Sequence, residues 1–127
     1  MEINGIHSIA IVCSDKEKAL DFYHKKLGLP IIRDNCKSSN PEHWKIDLFL
    51  GSGELEIFIK KNWKEIDHYA YGVRHLSFQL DDVEQFVKEL NFHGIECETI
   101  RQDQFTGEKI AVCYDPDGLK LEFHEEA

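Results

Sequence analysis

The feature that most restricts this chain is an internal repeat. Two candidate helices each end at a glycine, Gly28 and Gly94, which lie 94 − 28 = 66 positions apart, and Glu56 and Glu122 are separated by the same 122 − 56 = 66. His7 and His75 are 75 − 7 = 68 apart, and each glycine precedes its glutamate by 28 residues. With 127 residues in all, this spacing describes one domain-sized chain built from a duplicated unit.

Each copy reads as strand, helix and three further strands. In the first, Ile6–Val12 is an apolar run of strand length, and Ser14-Asp15-Lys16-Glu17 has the form of a capping box that opens a helix. That helix carries Ala19, Leu20, Phe22, Tyr23 and Leu27 on its buried side and stops at Gly28, with Pro30 beyond it. Strands are predicted over Ile31–Cys36, Trp44–Leu50 and Glu54–Lys60. The second copy begins with the alternating Val73–Leu80, and Asp81-Asp82-Val83-Glu84 opens a helix with Val83, Phe86, Val87 and Leu90 at i, i+3, i+4 and i+7. Beyond Gly94, strands are predicted over Ile95–Ile100, Lys109–Tyr114 and Leu119–His124, the last after the turn Asp115-Pro116-Asp117-Gly118. The fold class is α+β: a single domain, 1–127, of two tandem βαβββ modules, 1–61 and 72–127, with Asn62–Tyr71 between them.

Because side chains alternate across a strand, counting in twos separates the faces. Leu55, Ile57 and Ile59 fall on one side and Glu54, Glu56, Phe58 and Lys60 on the other; Leu119, Leu121 and Phe123 oppose Lys120, Glu122 and His124. The apolar sides must meet the helices, which leaves Glu56 and Glu122 on the other face of the sheet. His75 shares that face with Ser77 and Gln79, whereas His7 stands in line with Ile9 and Ile11. Were the two modules to curl toward each other, His7, Glu56, His75 and Glu122 would offer two nitrogens and two oxygens to one divalent ion, a set suited to Ni, Co, Mn, Fe or Zn. Trp44, Phe58, Arg101, Phe105 and Tyr114 lie on or near the inner strands and loops and are the candidate substrate-lining residues. His24, His43, His68, His93 and His124 lack a matched counterpart and read as surface histidines.

Composition excludes other classes. A formal charge of −9, with Lys60, Lys61 and Lys64 as the densest basic group, repels a phosphate backbone, so nucleic acid is not an expected partner. There is no apolar run long enough to span a bilayer and no signal-peptide pattern at the N-terminus, so no membrane partner is expected and the cytoplasm is the expected location. Cys13, Cys36, Cys97 and Cys113 form no Cys-x-x-Cys pair and read as reduced thiols.

Gly5-Ile6-His7, Ala19-Leu20-Asp21-Phe22-Tyr23, Leu55-Glu56-Ile57, Arg74-His75-Leu76 and above all Asp115-Pro116-Asp117-Gly118-Leu119-Lys120-Leu121-Glu122 resemble the vicinal oxygen chelate superfamily, the group containing glyoxalase I. The resemblance implies a curved, mixed eight-stranded cup with helices outside. It implies one divalent metal held by His7, Glu56, His75 and Glu122, a small-molecule substrate, and often a homodimer. In glyoxalase I the terminal-strand Glu carries the proton past an enediolate; here that role falls to Glu122, with Glu56 as its counterpart. The implied activity is a metal-dependent lyase or isomerase acting on a hemithioacetal or related small oxo compound. A binding or resistance protein of the same fold, an epimerase and a dioxygenase are the alternatives. One departure from bacterial glyoxalase I is that Ile9 and Ile11 stand where an Arg grips glutathione.

Overall fold

Strand β4 (Glu54–Ile59) shows how the sequence pattern becomes structure: Leu55, Ile57 and Ile59 are buried, while Glu54, Glu56 and Phe58 between them are half-buried. The structure, a computed structural model, describes residues 1–37, 39–64 and 71–126. Most of the expected connection 62–71, and His68 with it, lies outside the described residues. The chain divides into two compact units, residues 1–64 and 65–127.

In the first unit β1 (Ser8–Cys13), β2 (Ile31–Asp34), β3 (Lys45–Phe49) and β4 form one mixed sheet in the order β1-β4-β3-β2, with β1 parallel to β4. The second unit repeats the plan. Its β5 (Leu76–Leu80), β6 (Arg101–Gln102), β7 (Lys109–Tyr114) and β8 (Lys120–Glu125) run in the order β5-β8-β7-β6, with β5 parallel to β8. The eight strands are thus shared as two hydrogen-bonded sheets of four.

Both helices start one residue later than the capping-box pattern indicates. Asp15 caps α1 (Lys16–Ala19) by accepting from Lys18 N at 2.9 Å, and Asp82 caps α2 (Val83–Phe92) by accepting from Gln85 N at 3.0 Å. A carboxylate satisfies a free N–H and also meets the positive end of the helix, which explains why Asp15 takes the cap in preference to Ser14. After Ala19 the first helix widens into a π-helical stretch, Leu20–Lys26, closed by Leu27 N donating to Phe22 O at 2.9 Å. It still buries Phe22 and Tyr23, and Gly28 ends it with φ of 80°, a value that favours glycine.

The expected strand Ile95–Ile100 is not formed; pairing begins only at Arg101 and Gln102. This segment borders the sheet on one side, and its single ladder-like contact is Glu98 N donating to Val112 O at 2.9 Å. One-sided pairing gives a strand half the hydrogen bonds of a central one. The other predicted strands are found, most with ends trimmed by a residue or two, and Lys109–Tyr114 matches at both ends. In the second unit the core forms where Val83 and Leu90 of α2 are buried and Phe86 packs 4.8 Å from the Phe123 ring, which stacks on Phe78 at 5.5 Å. No helix among the described residues is long and apolar enough to cross a membrane.

Candidate functional site

Pairing decides what stands beside each central glutamate. On β8, Glu122 faces Ser77 of β5 and Val112 of β7, away from the buried Leu121 and Phe123. It is 7% exposed, and four nitrogen-bearing side chains converge on it. His124 Nε2 donates to Oε1 at 2.9 Å, and His75 Nε2 lies 3.5 Å from the same oxygen. Lys120 Nζ and Arg101 Nη2 approach Oε2 at 3.5 and 3.8 Å. Burial acts to raise the Glu122 pKa, but the hydrogen bond from His124 and the charges of His75 and Lys120 outweigh it and hold the carboxyl below its ordinary value. Glu122 is therefore kept as a buried anion.

Glu56 occupies the corresponding place on β4, facing Ala10 of β1 and Asp47 of β3. Here carboxylates predominate. Oxygens of Asp47, Glu54 and Glu56 all lie within 4.8 Å of one another, and Asp47 is only 1% exposed. Two cations hold the group together: Lys45 Nζ meets Glu56 at 2.9 Å and Asp47 at 3.3 Å, and Arg33 donates to Asp47 at 2.9 Å and to both oxygens of Glu54 at 2.8 and 2.9 Å. The Lys45 ammonium is pushed above its ordinary pKa, first by its bond to Glu56, and the Arg33 guanidinium is raised first by Glu54. A carboxylate cluster already matched by lysine and arginine is an ion-pair network.

The two histidines of the expected metal set are not equivalent in register. Counting back two residues from the partner of Glu122 leads from Ser77 to His75, whereas counting back two from the partner of Glu56 leads from Ala10 to Ser8. His7 precedes β1, is exposed, and uses its carbonyl to accept from Glu54 N at 3.1 Å. Gly53 is required at that junction, because a Cβ there would lie 2.9 Å from the His7 oxygen. Ile9 and Ile11 pair with Leu55 and Ile57 on the buried face.

Of the expected substrate-lining residues, Arg101 reaches Glu122, and Phe58 lies on the Glu56 side of β4 with Lys45 Nζ 5.6 Å from its ring centre. Trp44 is half-buried just before β3; Tyr114 donates to Glu98 at 3.3 Å; Phe105 is exposed on a turn tied by its own N–H to Asp103 at 2.8 Å. Two of the histidines read as surface groups are not: His124 bonds Glu122, and His24 Nδ1 donates to Leu29 O at 2.8 Å. His43 and His93 are exposed as expected. Sequence reasoning placed Lys120 on the Glu122 face without assigning it to the site, and missed Lys45, Asp47 and Arg33 as neighbours of the glutamates. The available signal was alternation, since Lys120 and His124 lie two residues either side of Glu122.

Of the four expected donors, the contacts among the described residues join only His75 and Glu122, a nitrogen and an oxygen of the kind a borderline divalent ion accepts. In the second unit an imidazole and a carboxylate bring Nε2 and Oε1 within 3.5 Å, with the His124 imidazole against the same oxygen, a mixture of nitrogen and oxygen that zinc and its neighbours accept. Because His124 donates to Glu122, any rearrangement that freed this oxygen for a cation would have to move that proton.

Residues 5–123 match the Glyoxalase/Bleomycin resistance protein/Dioxygenase superfamily. The crystal structure of a glyoxalase family protein from Enterococcus faecalis is 43% identical with a TM-score of 0.87, covering 98% of this chain and all of that one. The protein YwkD of Bacillus subtilis (strain 168) is 39% identical over 129 residues, covering 99% of this chain and all of YwkD. A lactoylglutathione lyase from Escherichia coli O157:H7 is 32% identical over 129 residues, covering 88% of this chain and 85% of that enzyme.

Proposed function

This chain belongs to the Glyoxalase/Bleomycin resistance protein/Dioxygenase superfamily, and we propose that it is a metal-dependent lyase or isomerase of the glyoxalase I kind. It would move a proton between adjacent carbons of a hemithioacetal or a related small 2-oxo or 2-hydroxy compound. Members of the superfamily bind small molecules and typically use a divalent metal. In this reading His7, Glu56, His75 and Glu122 hold one Ni, Zn, Co, Mn or Fe ion, which supplies Lewis acidity to neighbouring substrate oxygens.

The observation that carries the proposal is the buried, ionised Glu122 among two imidazoles, a lysine and an arginine. Its depressed pKa suits a ligand; to accept a proton it must first lose part of its cationic surroundings. Arg101 and Lys120 are the groups a substrate's anionic oxygens would draw away. Glu122 then takes the proton from one carbon and returns it to the next, with Glu56 as the second carboxylate. Phe58 lines the same side of its sheet as Glu56. The missing first-strand arginine favours a substrate without glutathione. The working form in this reading is a cytoplasmic homodimer, which light scattering of the purified protein tests.

The decisive experiment pairs elemental analysis with an assay on methylglyoxal plus several thiols, comparing wild type with Glu122→Gln. Stoichiometric metal, and turnover lowered about 10²- to 10⁴-fold in the variant, are expected. Full activity in Glu122→Gln would overturn the proton-transfer role, and metal without turnover on any thiol adduct would move the reading to another substrate.

A further inference from the structure

Cys97 and Cys113 are 16 residues apart in sequence (113 − 97) but belong to adjoining segments of the second unit. Cys113 is fully buried on β7; Cys97 is partly exposed in the segment that leads into β6. Two bonds bracket the pair. Glu98, next to Cys97, donates its N–H to Val112 O at 2.9 Å, and Tyr114, on the other side of Cys113, donates its hydroxyl to Glu98 at 3.3 Å. Cys113 pairs with the buried Leu121, and Cys97 is half-buried beside it in the segment that follows the buried Ile95. The Glu98–Val112 bond sets Cys97 across from Cys113 on the neighbouring strand.

We propose that Cys97 and Cys113 are a modification site, closing a reversible disulfide when the protein meets a peroxide. The more exposed Cys97 sulfur, as thiolate, attacks one peroxide oxygen. The O–O bond breaks, hydroxide leaves to become water, and Cys97 becomes a sulfenic acid. The Cys113 sulfur then attacks that sulfur: the S–S bond forms, the S–O bond breaks, and the departing hydroxide takes the Cys113 proton as a second water. Two thiols lose two electrons and the peroxide gains them.

The chemistry favours this order and this pair. The Cys113 S–H donates to Cys97 and lowers its pKa, so Cys97 is the better thiolate, while Cys113 is raised first by that same contact and then by burial. Cys36, by contrast, is buried and pushed up to about 11, first by desolvation and then by Asp34, and Cys13 is buried. Neither is expected to react. The inference does not rest on the proposed reaction, and its test reads no turnover.

The test treats the reduced full-length chain with hydrogen peroxide and follows intact mass, titratable thiols and peptide maps. Loss of about 2 Da, recovered with dithiothreitol, is expected, along with loss of two of the four thiols and a peptide joining Cys97 to Cys113. Cys97→Ser should abolish the cross-link; Cys113→Ala should stop Cys97 at a sulfenic acid that dimedone traps. A cross-link through Cys13 or Cys36, oxygen addition to Cys97 without a cross-link in the wild type, or no reaction would each overturn the proposal. The wild-type map and Cys97→Ser decide the question even if Cys113→Ala fails to fold.

Discussion

Glu56 and Glu122 sit at the same point of β4 and β8, but their neighbours differ in kind. An offset of 66 turns Glu54 into Lys120 and Phe58 into His124. The cross-strand partner of Glu56 is Asp47, whereas that of Glu122 is Val112; Lys45 opposite Phe58 becomes Ile110 opposite His124. The first half therefore gathers three carboxylates around two cations, and the second gathers four nitrogen side chains around one carboxylate. The ladder of backbone hydrogen bonds dictates which positions meet and is indifferent to their charge. A duplicated scaffold can thus hold two glutamates in matching places and give them opposite electrostatic surroundings.

The hardest test of this contrast is to make the halves alike. Val112 is 3% exposed, so Val112→Asp would place a second buried carboxylate against Glu122 and should cost roughly 3–5 kcal/mol in urea denaturation. A cost below about 1 kcal/mol would show that the second half accepts the acidic pattern of the first. Ile57 and Phe123 are equivalent core positions with buried side chains; Ile57→Ala should lose about 2–5 kcal/mol and Phe123→Ala about 3–5. Much smaller losses at one of the two would mean that its unit contributes little to the measured transition.

In the first half, Asp47→Asn removes an acceptor from Arg33 and Lys45 and should cost about 1–3 kcal/mol. The helix caps give a finer comparison. Asp15→Ala and Asp82→Ala should each lose about 1 kcal/mol, because both carboxylates make the same bond to the third residue beyond the cap. Unequal losses would separate the two helix starts that the geometry makes equivalent.

The smallest effect concerns pH. Burial acts first to raise Asp34, but the Cys36 N–H and Lys16 outweigh it and depress its pKa; Asp103 is depressed first by the Phe105 N–H and then by that of Thr106. A depressed folded pKa contributes stability above the ordinary carboxylate value that is lost as pH falls through the folded one. Asp34→Asn and Asp103→Asn should both lower the neutral plateau slightly and so flatten the acid limb below about pH 4, each variant converging with the wild type at the acid end. A steeper limb in either variant would reverse the assigned sign.

Much of this was legible along the chain. Alternation in β4 and β8 separates Leu55, Ile57, Leu121 and Phe123 from Glu56 and Glu122, because period two leaves only one assignment that buries the apolar set. The caps were misplaced by one residue in both halves, since Ser14 beside Asp15 and Asp81 beside Asp82 each offer two acceptors and only the backbone decides between them. Segment 95–100 does not pair as a strand although β1, β2 and β5 form at sheet edges, and whether a neighbour lies in register is not visible in local composition. Among histidines, His124 falls on the Glu122 face by alternation, but its bond to Glu122 depends on a rotamer that spacing does not carry.

By itself, then, the sequence determined the repeat, the order of elements, the face each residue presents and the pair of glutamates that stand opposite the cores, all of which follow from periodicity and chain connectivity. The tertiary structure alone decided that Glu122 is buried against His75, His124, Lys120 and Arg101, that Glu56 shares Lys45 with Asp47, and that Cys97 comes to lie across from Cys113. The physical reason is that such contacts join residues on different strands, and strand register and side-chain packing, which set those distances, are properties of the folded sheet and not of any local stretch of chain.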